Sequence, residues 1–145
     1  MKKEQPILLG WREWIALPEL GIKRIKAKTD TGARTSALHT FATERFSDHG
    51  RDRVRFLLHP LQRSVKKVLT CEADLYDIRW VSDSGGHREQ RFVIITPVRI
   101  GVDEFPIEIT LTNRDTMLFR MLLGRNAIKS RFWIDPSLSY LTKNK

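Results

Sequence analysis

Cysteine is nearly absent from this chain. Cys71 stands alone among 145 residues, so no internal disulfide can form, which fits a reducing compartment. A catalytic thiol is the minor reading of that residue. Long apolar runs are missing too: "ILL" at 7–9 and "FVII" at 92–95 fall far short of the roughly 18 residues a membrane helix needs. The opening "MKKEQPILLGW" has no signal-peptide core, because Glu4 and Pro6 precede its apolar triplet and Trp11, Arg12 and Glu13 follow it. The chain is therefore expected to stay in the cytoplasm. There is no Walker-type phosphate loop, no H-E-x-x-H, no cysteine pair, no internal repeat and no low-complexity segment. Acids are scarce relative to bases, 17 Asp and Glu against 26 Lys and Arg.

What is present describes one folded domain, taken as 1–145. The length suits a single core, and 41% hydrophobic with 30% charged residues is the composition of a globular protein. The formal charge of +9 raises the local concentration of any anionic partner. Its basic clusters, "KRIKAK" at 23–28, "RDRVR" at 51–55, "RSVKK" at 63–67 and "HREQR" at 87–91, are spread along the chain. "PIEITLT" at 106–112 alternates like a half-buried strand. "RVRFLL" at 53–58, "LYDIRWVS" at 75–82, "RFVIITPVRI" at 91–100 and "RFWID" at 131–135 are β-branched or aromatic segments bounded by turn residues. "SDSGGH" at 82–87 reads as a hairpin tip, and "RNAIKSR" at 125–131 as the one short helix. This predicts an all-β, barrel-like domain.

Within "AKTDTGARTSAL", 27–38, Asp30 lies between two threonines, with a glycine close behind, where a strand-like segment ends. Asp-Thr-Gly makes an ordinary turn, since Asp and Thr bond nearby backbone and Gly accepts positive φ. An aspartyl-phosphate nucleophile would need an α/β scaffold and further carboxylates for magnesium, neither of which is apparent. A metal site would have to use His39, His49 and His59, which recur at ten-residue intervals without a ligand motif. A fourth reading is an aspartic peptidase.

Downstream, "MLLGRNAI" at 121–128 runs from large apolar residues into Gly and a short helix. With the Asp-Thr-Gly-Ala loop it resembles the two signature segments of the retropepsin family of aspartic peptidases. Including "LGWREWIALPELGIKRIKAKTDTGARTSALH", "TLTNRDTMLFRMLLGR" and "DPSLSYL", it is similar to the bacterial retropepsin-like group often labelled ATP-dependent zinc proteases. Members of that group are associated with ATP-grasp glutamate ligases that modify ribosomal protein. The sequence itself carries neither a zinc nor a nucleotide motif, so no cofactor and no metal are expected.

The resemblance implies an all-β acid-protease barrel with one C-terminal helix, active as a symmetric homodimer, because carboxylate catalysis of peptide hydrolysis takes two acids and only one Asp-Thr-Gly is present. It implies Asp30 as the catalytic residue and Thr31, Gly32 and Ala33 as its loop. Leu122, Leu123, Gly124 and Arg125 would support that loop from beneath. Retropepsins cover substrate with a β-hairpin flap; 79–92 is the candidate, with Ser84, Gly85, Gly86 and His87 at its tip, and "SDHGRD" at 47–52 is the rival. Viral members place an acid after Asp-Thr-Gly-Ala to pair with the later arginine, whereas this chain has Arg34, which cannot pair with Arg125. A more positive rim favours acidic or glutamate-extended peptide or protein tails, and the ligase association points the same way. The competing class is a catalytically inactive or basic all-β module binding nucleic acid or ribosomal protein. Against nucleic acid, Trp11, Trp14, Trp80 and Trp133 do not interleave with the basic clusters and sit in segments that look like core or interface.

Overall fold

The structure, a computed structural model, describes residues 6–61, 64–82, 85–113 and 119–142. Its strands in chain order are β1 (Ile7–Leu9), β2 (Arg12–Leu17), β3 (Ile22–Asp30), β4 (Ser36–His39), β5 (Ala42–Asp48), β6 (Arg51–Leu58), β7 (Leu69–Asp74), β8 (Asp77–Ser82), β9 (Arg88–Ile100), β10 (Asp103–Thr112), β11 (Met121–Gly124) and β12 (Phe132–Ile134). Among the described residues the only α-helix is the single turn α1 (Arg125–Ile128). No helix there is long and apolar enough to cross a membrane.

Seven strands form the main sheet in the order β10-β4-β11-β3-β2-β9-β8. β10 also pairs with β9, antiparallel from Asp103↔Ile100 to Thr110↔Val93, so the pairings of six strands run in a closed circuit and β8 extends from β9. β5, β6 and β7 form a separate antiparallel sheet, and β1 pairs in parallel with β12. The alternation of Ile107, Ile109 and Leu111 turns one side of β10 into the core; Thr110 and Thr112 are buried as well, where their hydroxyls bond neighbouring strands. Ile15, Leu17, Ile25, Leu38, Ile94, Ile109 and Met121 meet Val54, Phe56 and Leu58 of the smaller sheet in one apolar cluster. Removing that surface from water is the main favourable term for a chain of this size.

Two sequence readings need correction. The helix stops at Ile128 rather than reaching residue 131, because Lys129 turns extended and Ser130 has a positive φ. The core-or-interface reading of Trp80 and Trp133 loses its core half: each is about 60% exposed, while Phe, Ile and Leu fill the interior.

Candidate active site

The chain returns three times to build the site. β11 lies between β3 and β4, parallel to the first and antiparallel to the second, although it comes some eighty residues later. The loop 31–35 that joins β3 to β4 must therefore cross the end of β11, where Gly124 stands opposite Asp30. A Cβ at Gly124 would lie 2.5 Å from the carbonyl carbon of Thr35, 2.7 Å from its oxygen and 2.8 Å from Ser36 N. Those neighbours are backbone and cannot swing aside, so only glycine lets the loop sit this close.

The same crossing satisfies the loop's polar groups. The Ser36 hydroxyl accepts the Gly124 N–H at 3.0 Å, Arg125 N–H donates to the Ala33 carbonyl at 2.7 Å, and Asn126 N–H donates to the Arg34 carbonyl at 3.0 Å. The first N–H groups of a helix have no partner inside it; here they bond the loop instead. The Arg125 guanidinium donates to the Thr31 carbonyl at 2.9 Å, so a backbone oxygen serves where Arg34 offers no acid.

Asp30 is the half-buried last residue of β3. Gly32 N–H donates to its Oδ1 at 3.0 Å, and Ala33 N–H to its carbonyl at 3.2 Å. One carboxyl oxygen is thus fixed by the loop's own backbone. Behind it, the Thr29 hydroxyl is within hydrogen-bond reach of the Gly10 and Trp11 carbonyls, at 3.1 and 3.0 Å, and anchors the end of β3 to the β1–β2 turn.

Asp30 opens into a cleft of about 860 Å³. Gly32, Ala33 and Leu122 line it beside Asp30, and Arg79, Trp80, Val81 and Ser82 of β8 form the opposite wall. Leu123 is buried beneath. Two arginines brace the wall. Arg79 donates to Glu108 at 2.5 Å and to Asp77 at 2.7 Å, while Arg91 donates to Glu89 at 2.7 Å and to the Thr110 hydroxyl at 3.4 Å. The Arg79 bond, followed by the Ile78 N–H, holds the Asp77 carboxyl below its ordinary pKa. Arg34 also lines the cleft, exposed, with no ion pair among the described residues.

The β8–β9 hairpin, with Ser82 opposite Arg88, is the candidate flap's position, and Gly85, Gly86 and His87 at its tip are exposed. Ser84 lies outside the described residues. The rival tip at 47–52 joins β5 to β6 and does not line the cleft. The histidines are not brought together. His39 is buried in the cleft wall, its Nδ1 2.6 Å from the Thr112 hydroxyl; His59 stacks on Phe41; His49 sits beside Asp48 at an exposed turn. Among the described residues no group of three or more His, Cys, Asp or Glu could hold a metal ion. Burial pushes the Cys71 thiol up to about 11, which leaves it protonated and inert at neutral pH. Arg79, Arg91, Glu108 and Thr110 were not singled out from the sequence. No local motif marks them, and they reach the cleft only because β8, β9 and β10 are neighbours.

Proteins named "probable alpha-L-glutamate ligase" are similar to this chain. The one from Shewanella pealeana is 42% identical over 98% of the chain and 31% of its own length, and the one from Desulfotalea psychrophila is 44% identical over 90% and 28%. The chain thus spans under a third of the length of the curated relatives it matches. A crystal structure of a Legionella pneumophila protein of unknown function shares the fold, with a TM-score of 0.78, 24% identity, and coverage of 95% of this chain and 99% of that one. A family model described as RimB-like, retropepsin-like aspartic endopeptidase RimB, matches residues 8–145, nearly the whole chain, and the protein belongs to that family.

Proposed function

We propose that the chain is an aspartic-type endopeptidase subunit that hydrolyses peptide bonds in acidic or glutamate-extended protein tails. The observation that carries this is Asp30 itself: one carboxyl, fixed by the Gly32 N–H, in a cleft with room for an extended peptide and a cationic rim. A second Asp30 comes from a second copy of the chain about a twofold axis, which completes the pair without further sequence. Two ionised carboxyls about 3 Å apart repel by roughly 5 kcal/mol at an effective dielectric near 20, so one keeps its proton.

The ionised member takes a proton from water as its oxygen attacks the scissile carbonyl carbon. The protonated member gives its proton to the carbonyl oxygen. As the resulting diol collapses, the C–N bond breaks and a proton passes to the departing amine. Thr31 and Gly32, both exposed, face the second copy, and Gly124 keeps the loop low enough for the carboxyls to meet. Leu122, Leu123 and Arg125 hold the loop from below, Ala33 keeps the floor small, and the β8–β9 hairpin closes over substrate. No cofactor enters any step.

Arg34 supports the choice of substrate, since a rim guanidinium with no ion pair among the described residues attracts carboxylates. The relatives' name points to the same chemistry: a domain found within glutamate ligases is well placed to remove glutamates. The test is hydrolysis of a glutamate-extended peptide from pH 4 to 8 by the wild type and by Asp30→Asn. Cleavage by the first alone supports the proposal, and equal cleavage by both, or by neither, overturns it.

A further inference from the structure

The excess charge is not evenly spread. On the β5–β6–β7 sheet each arginine has an acid: Arg45 with Asp52 at 2.7 Å, Arg53 with Asp74 at 2.7 Å, Arg55 with Glu72 at 2.8 Å, and Arg51 also with Asp74. At the cleft wall Arg79 and Arg91 pair with Glu108 and Glu89, and at the C-terminal end of β9 Arg99 pairs with Glu104. The outer face of β2 and β3 differs. It presents Arg12, Trp14, Arg24, Lys26 and Lys28, with Arg12 directly opposite Lys28 and Trp14 opposite Lys26. Among the described residues Arg12, Arg24 and Lys28 meet no carboxylate. The one acid of β2, Glu13, is fully buried and accepts hydrogen bonds from Gly10, Leu141 and Thr142.

Like charges directly opposite on adjacent strands are destabilising. The cations are nevertheless held in place. The Arg24 guanidinium lies 4.2 Å from the centre of the Trp14 ring, and Arg12 lies 4.5 Å from that of Trp11 and 4.9 Å from that of Tyr140. Such stacking fixes the heads, and Arg12 Nε–H also donates to the Ser139 hydroxyl at 3.2 Å, so little order is lost when an anion arrives.

We propose that this face is an exosite for an acidic polypeptide segment, the part of the substrate chain beyond the scissile bond. Two features select a peptide over single-stranded nucleic acid. Trp14 already carries the Arg24 guanidinium at 4.2 Å and is stacked on Tyr140 at 5.9 Å, so a base would compete with contacts the ring already makes. The spacing also fits: Arg24, Lys26, Lys28 and Asp30 share one side of β3 at intervals of about 7 Å, the same repeat as alternate side chains of an extended acidic chain. The series ends at Asp30, so a segment lying along it leads to the cleft. This rests on the acidic-substrate reading above and adds where the remote part of that substrate binds.

The experiment measures binding of fluorescein-labelled poly-L-glutamate to Asp30→Asn protein at low and physiological salt. The same substitution carries either Arg24→Gln with Lys28→Gln or the charge-matched control Arg51→Gln with Arg53→Gln. The exosite pair is expected to weaken binding by about tenfold or more, and the control by under about twofold. In the active protein the exosite pair raises KM for long acidic substrates, leaving kcat and short-peptide cleavage unchanged. Equal losses in both doubles reduce the effect to net charge and overturn the proposal, as does tighter binding of single-stranded RNA of equal charge. Stripe-dependent binding in a wild type that cleaves nothing overturns the peptidase reading alone. Cleavage that persists while the exosite pair binds poly-L-glutamate as before overturns the exosite alone.

Discussion

The Asp30 loop and the β5–β6–β7 sheet are fixed by opposite means. The loop is held by backbone: its carbonyls accept from Arg125 and Asn126, its carboxyl accepts from Gly32, and its closest neighbour is a glycine that a single methyl would displace. The outer face of the small sheet is held by side chains, an exposed lattice of arginines and acids on adjacent strands. Exposed pairs contribute little and are screened by salt, whereas a backbone contact admits no adjustment. The loop is therefore less tolerant of change than the outer face of the small sheet.

That contrast can be broken or sharpened by substitution. The largest effect is expected inside the small sheet, where Phe56 is fully buried: Phe56→Ala should cost about 4 kcal/mol in urea unfolding, since the deleted ring leaves a cavity in the shared core. Gly124→Ala comes next, at about 3 kcal/mol, because the added methyl overlaps backbone on the facing loop. It should also abolish any Asp30-dependent turnover; a variant with wild-type stability would remove the argument for a rigid loop. Ser36→Ala deletes the acceptor of the buried Gly124 N–H and should cost about 2 kcal/mol. Arg55→Gln, which breaks exposed pairs with Glu72 and Glu44, should shift stability by under about 1 kcal/mol.

The smallest effect is in acid. Hydrogen bonds from Arg45 lower Asp52, and those from Arg51 and then Arg53 lower Asp74, below the ordinary 3.8. Folded values below the unfolded one give a stabilisation that is complete above about pH 5 and is lost as pH falls through the folded pKa. A melting temperature followed from pH 6 to 2 should decline more gently for Asp74→Asn than for the wild type, because that variant has already lost this contribution.

Several elements were legible because their signal is local. The alternation in 106–112 marks part of β10, and the Ser-Asp-Gly chemistry at 82–87 falls where β8 gives way to its antiparallel partner β9. β3 was harder. Its register against β2 shifts between Ile15 and Leu17, so Lys23 and Arg24 both face out and the regular alternation fails. Short strands such as β4 and β11 carry too few residues for a period, and only their partners define them.

By itself the sequence determined that Asp30 stands in an Asp-Thr-Gly turn, that an apolar run with Gly124 lies far downstream, and that bases outnumber acids, because those are statements about neighbours along the chain. Only the tertiary structure decided that Gly124 lies under Thr35, that Arg125 holds the Thr31 carbonyl, that Arg79 and Glu108 brace one cleft, and that the arginines of β6 are paired while Arg24 and Lys28 meet no acid among the described residues. The physical reason is that these contacts close through space between strands remote in sequence. Pairing partners are chosen by burial of the whole core and not by any segment alone.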